Sequence, residues 1–97
     1  MMRIAHIVAL IVFLAVTVAK ADGLSAEKVR ELVESGTILP LEEILKRNAP
    51  GIGGRIIEIE VERKRGIYLY EIKVLRPDGR YREMKIDART GAMIGED

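Results

Sequence analysis

Residues 55–87 read RIIEIEVERKRGIYLYEIKVLRPDGRYREMKID, and the alternation inside this stretch decides the fold. Ile57, Ile59 and Val61 alternate with Glu58, Glu60 and Glu62, which predicts a strand with one apolar and one acidic face. From Ile67 to Arg76 apolar residues fall on both parities, as a central strand covered on both sides requires. Arg80 to Asp87 alternates again, with Met84 and Ile86 inward. Ala92 to Ile94 adds a short last strand after the turn Asp87-Ala88-Arg89-Thr90-Gly91.

Two turns set the register of this meander. With Lys64-Arg65 at the tip of the first hairpin, Val61 faces Tyr68, Ile59 faces Tyr70 and Ile57 faces Ile72, all on one side. Pro77-Asp78-Gly79 reads as a short hairpin loop with Gly79 in the left-handed region. That loop pairs Ile72 with Met84 and Tyr70 with Ile86 on the same apolar side. The other side gains Lys73 with Glu83 and Glu71 with Lys85, both charge-matched, and Leu75 with Tyr81. A slip of one residue would turn the whole set over.

Upstream of the meander the period changes from two to helical. Ser25 is placed as an N-cap, Leu24 and Val29 as a hydrophobic staple, and Gly36 as the stop. Val29, Leu32 and Val33 share one face. A second helix starts with Pro40 at its first position, carries Glu42 and Glu43 early and Lys46 and Arg47 late, and buries Leu41, Ile44 and Leu45. Asn48 to Gly54 is read as a Gly- and Pro-rich loop. The fold class is α+β: two short N-terminal helices packed on one face of a three- to four-stranded antiparallel β-meander. That face carries Ile57, Ile59, Val61, Tyr70, Ile72, Met84 and Ile86. The outer face shows Ile56, Ile67, Leu69, Leu75 and Tyr81 among charges.

The first residues have a different grammar. Arg3 gives a positive start, Ile7 to Ala19 is apolar apart from Thr17, and Ala19-Lys20-Ala21 offers a small-x-small cleavage site. Residues 1–21 are therefore expected to be a signal peptide cut after Ala21, leaving a single domain over residues 22–97 in the periplasm or outside the cell. The competing reading is a retained membrane anchor. It needs about 20 apolar residues, and the run here is shorter.

Removing the leader takes Arg3 and Lys20 but no acid, so 14 Lys+Arg face 15 Asp+Glu and the net charge falls from +1 to −1. A near-neutral chain with interspersed signs has no footprint for nucleic acid, and no basic amphipathic helix points to a lipid surface. Cysteine is absent, so thiol catalysis, thiolate metal sites and disulfides are excluded. The one histidine, His6, leaves with the leader, which removes the usual general base and metal ligand. Ser25 and Ser35, the only serines, sit at helix ends. Glu58, Glu60 and Glu62 stand about 7 Å apart along a strand face, without the glycine-turned loop of a calcium site. They read as a solvated face. No catalytic residue, cofactor or metal is assigned.

What remains is surface. Leu69, Leu75 and Tyr81 form the candidate contact patch. The strand from Ile56 to Arg63 is a candidate sheet edge, open to an added strand or guarded by its glutamates.

Several of these motifs occur together in a known order. The acidic-aliphatic segment Ile38 to Leu45, the strand Tyr70-Glu71-Ile72-Lys73-Val74, the turn Asp78-Gly79 and the turn Asp87-Ala88-Arg89-Thr90-Gly91 resemble the PepSY domain family, over roughly Leu39 to Ile94. The resemblance implies a non-catalytic domain. PepSY domains stand in the pro-segments of thermolysin-type secreted metallopeptidases, where the pro-segment inhibits the enzyme and assists its folding. No peptidase is attached here, so an inhibitor would act in trans on a protein partner. Two readings stand: an exported PepSY-type binding module that inhibits or regulates an envelope peptidase, and a regulatory or structural interaction protein of the envelope, a sensor accessory or self-associating factor, with no protease target. An acid-only hydrolase or cation binder is a distant third.

Overall fold

The computed structural model describes residues 23–97. The expected leader and its cleavage point lie outside the described residues. Two helices, α1 (Ala26–Glu34) and α2 (Leu41–Ile52), precede strands β1 (Arg55–Lys64), β2 (Ile67–Leu75), β3 (Tyr81–Asp87) and β4 (Met93–Glu96). The strands form one antiparallel sheet in the order β1-β2-β3-β4. This is the α+β class.

The second hairpin has the expected register throughout: Ile72 opposes Met84, Tyr70 opposes Ile86, Lys73 opposes Glu83 and Leu75 opposes Tyr81. The first does not. Its tip is Arg65-Gly66, not Lys64-Arg65, and both residues have positive φ, 52° and 85°. Two left-handed residues in succession build the type I′ turn whose twist matches the flanking strands, and glycine takes the second position without strain. Val61 therefore opposes Tyr70 and Ile59 opposes Ile72. The error is two places, so each side chain keeps its expected face.

One face assignment does change. The β1–β2 register shifts between Ile56 and Glu58. This bulge leaves Ile57 without an opposing residue and 41% exposed. Ile56, expected outside, instead opposes Val74 and packs against the core. An extra residue in one strand reverses the parity beyond it.

The helices differ from expectation at their ends. Ser25 Oγ accepts from Lys28 N at 3.1 Å, as a cap should. Pro40 is the N-cap of α2 and not its first residue, with its carbonyl accepting from Glu43 and Ile44. The expected loop at Asn48–Gly54 is helical as far as Ile52. Pro50 sits inside the last turn, where it removes one helix hydrogen bond. The Arg82 guanidinium holds this end from outside, donating to the Gly51 and Ile52 carbonyls. Gly53 then closes the helix in the left-handed region.

One buried cluster unites the elements: Leu32 of α1, Ile38 between the helices, Ile44 of α2, and Val61, Tyr70, Ile72, Met84 and Ile86 of the sheet. Tyr70 is its largest member, 1% exposed, and its hydroxyl donates to the Leu39 carbonyl at 2.7 Å. Burial, then the charge of Glu42, push the phenol above its ordinary pKa, so it stays a donor.

Replacing Tyr70 by Phe strands the Leu39 carbonyl and is expected to cost about 1–2 kcal/mol. Urea unfolding would show this as a lower midpoint at unchanged slope. Arg65→Asn keeps the turn but supplies a residue that accepts positive φ, and should add about 0.5–1 kcal/mol in the same measurement.

Candidate functional site

Strand β1 is an edge of the sheet, and α1 does not close against it. Between them runs an open groove of about 980 Å³. Its lining is aliphatic: Leu24, Val29 and Val33 from the α1 side, Leu41 at the start of α2, and Ile57, Ile59 and Val61 from β1, with Tyr70 at the base. Arg30, Glu58 and Glu60 supply the polar part of the lining. The bulge at Ile57 holds that side chain partly in solvent, next to half-buried Ile59. An apolar concavity with a few charged groups is the usual form of a binding site.

The main chain along this edge is already used once. Leu24 N donates to the Val61 carbonyl at 2.8 Å. In an antiparallel pair successive residues alternate between facing the neighbouring strand and facing away. Ile59, two places from Val61, therefore directs its N–H and carbonyl toward the open edge. Among the described residues no main-chain group meets them there.

The glutamates of β1, expected to form a solvated row, are not one: Glu58 and Glu60 are half-buried and reach the groove lining, and Glu62 is only 6% exposed. One carboxylate oxygen from each of Glu60, Glu62 and Glu71 lies within 4.8 Å of the others. Lys64 Nζ stands 3.4 Å from Glu62 and 3.6 Å from Glu71, and Lys73 Nζ 3.9 Å from Glu58. Burial opposes the charge of Glu62, but hydrogen bonds with Glu60, Glu71 and Lys64 outweigh it and hold its pKa below the usual range. Glu71 goes the other way: burial first, then its contact with Glu62, raise its pKa.

Of the expected contact patch, the sheet brings Leu75 and Tyr81 together and leaves Leu69 apart. Leu69 is 4% exposed, between Glu62 and Asp87 on the neighbouring strands. Leu75 is half-buried opposite Tyr81. Tyr81 is 65% exposed, with Lys73 Nζ 5.7 Å from its ring centre. Ile67, Met93 and Ile94 are further exposed apolar residues. The groove residues Val29, Val33 and Ile59 were legible only as core positions. The signal that separates them from core is their place on the edge strand and the helix beside it, since an edge has a neighbour on one side only.

Residues 23–97 match the family model PepSY, the peptidase propeptide and YPEB domain. No curated protein and no solved structure matches the chain. No helix among the described residues is long and apolar enough to cross a membrane.

Glu71 has a folded-state pKa above its unfolded one. What it contributes to stability is thus present at low pH and lost as pH rises through the folded value. Glu71→Gln is expected to raise the urea midpoint at neutral pH, with the gain vanishing below about pH 4, where the unfolded carboxyl is also neutral. Urea unfolding of both proteins across this range checks the sign.

Proposed function

The chain belongs to the PepSY family, and from that membership we propose that it is an exported, non-catalytic protein-binding module that inhibits or regulates a peptidase of the cell envelope. The observation that carries this reading is the match to the peptidase propeptide and YPEB domain over residues 23–97. The residue inventory supports it: beyond His6 there is no histidine, and there is no cysteine anywhere. The leader-like residues Met1 to Ala21 support export to the periplasm or beyond, with the working part a single domain from Asp22. The shared buried cluster supports helices laid across the inner face of the sheet, and the groove beside β1 supplies a surface suited to protein contact.

A second reading has its own observation. Tyr81, Ile67, Met93 and Ile94 are exposed away from the groove, which favours a regulatory or structural contact in the envelope without a protease target. Leu75 and Tyr81, with Leu69 beneath the surface, belong to that reading.

Titrating the purified domain into envelope extracts and following residual peptidase activity separates the two. Under the first reading activity falls in a saturable way and the affected peptidase co-purifies with the domain. Under the second, activity is unchanged and a non-peptidase is captured.

A further inference from the structure

The groove beside β1 has a neighbour in the sequence. Its lining starts at Gly23 and Leu24, where the described residues begin, so residues 1–22 are tethered at its mouth. The tether is fixed to the strand. Leu24 N donates to the Val61 carbonyl at 2.8 Å, and Gly23 lies against the side chain of Glu60. One step back along the chain, from Leu24 to Gly23, is therefore one step back along β1, toward Ile57.

Length and chemistry both suit what lies upstream. Val61 to Ile57 is about 13 Å of strand, and four extended residues reach about 14 Å. The chain before Gly23 thus comes level with Ile57 at Ala19, where the apolar run Ile7 to Ala19 ends. Val18, Val16, Leu14 and Phe13 follow in that direction, interrupted by no charge. The groove offers them Val29, Val33, Leu41, Ile57 and Ile59. A tethered segment meets its site at an effective concentration on the order of mM. That exceeds what a second copy of the chain supplies at μM concentration, so the chain's own segment has the advantage.

We infer that in the uncut chain the groove beside β1 is occupied by the apolar run Ile7 to Ala19 of the same molecule, and that cleavage after Ala21 opens it. This goes beyond the protein-binding reading, because it concerns when the groove is free and not what enters it afterwards. Each apolar surface covers the other until the run passes into a membrane or is cut away. The cut turns an intramolecular contact into a bimolecular one, so the advantage of the tether is lost and the groove is released.

The uncut chain, made by cell-free translation without membranes, tests this by cross-linking. The chain has no cysteine, so an introduced pair is the only thiol pair present. Val16→Cys or Leu14→Cys is combined with Ile57→Cys, a change at a side chain already 41% exposed and therefore compatible with folding. A short bis-maleimide should join the pair within one molecule. Arg30→Cys, exposed on the other wall of the groove, should be joined to the same positions. Tyr81→Cys, 65% exposed and outside the groove lining, should give a yield about tenfold lower or less, because it lacks the raised local concentration. Phe13→Asp puts a charge into the run and should bring the yield at Ile57 down to that at Tyr81. Cleavage by signal peptidase before the reagent is added should do the same. Equal yields at Ile57 and Tyr81, no link from either wall, links between molecules, or a link indifferent to Phe13→Asp overturns the inference. Whether the opened groove meets a peptidase is read separately, by the titration of envelope extracts.

Discussion

The helical half of this protein is tied to its sheet through one turn. Between Ala88 and Gly91, three main-chain carbonyls point at the helices. Ala88 accepts from Leu39 N at 2.8 Å, Thr90 from Arg47 at 2.8 Å, and Gly91 from Asn48 at 3.0 Å. The turn can offer them because its own needs are met internally. Asp87 Oδ1 accepts the amides of Arg89 and Thr90, and the Asp87 carbonyl accepts that of Gly91. An Asp at the start and a Thr-Gly at the end thus make a platform, and α2 docks on it through two consecutive side chains, Arg47 and Asn48. Without cysteine, polar contacts of this kind and the apolar cluster hold the layers together. The Asp-x-x-Thr-Gly pattern accordingly has a structural job here, whatever partner the domain meets.

Strand β2 supplies the other fixed point. It is paired on both edges, and Tyr70, Ile72 and Val74 on its inner face are all essentially inaccessible. Tyr70 links the two halves again, with its ring in the core and its hydroxyl on Leu39, immediately before the start of α2. Leu39 is thus held at both its main-chain groups, its amide donating to Ala88 and its carbonyl accepting from Tyr70. The helix after it starts from a defined place.

Much of this was legible in the sequence because sheet parity is a strong constraint. The Pro77-Asp78-Gly79 loop admits few registers, and β2–β3 pairing followed from it. The β1–β2 tip was misplaced because Arg65 gave no sign that it would adopt positive φ; a basic residue beside glycine is a weak turn signal compared with Asn-Gly. Parity rescued the faces, since the mistake was an even number of places. The bulge at Ile57 was not legible, because Ile56 and Ile57 are interchangeable apolar residues and only the packed structure chooses between them. The helical stretch Asn48 to Ile52 was hidden for a different reason. Its support comes from Arg82, some thirty residues away in sequence and visible only once β3 is in place. The groove was illegible on the same grounds: a stripe such as Val29 and Val33 reads as core whether or not the neighbouring strand closes on it.

The glutamates of β1 answer two demands at once. An exposed edge invites uncontrolled pairing, and charge along it is a common protection. Glu58 and Glu60 stand in the lining of the same groove that Ile57, Ile59 and Val61 make apolar. A strand added there must satisfy these carboxylates as well as the apolar lining, because a polar group buried without a partner is costly. The barrier to aggregation is therefore also a filter on sequence. It acts through the same two-residue period that organises the sheet, so an edge guarded in this way discriminates between segments of identical composition and different order.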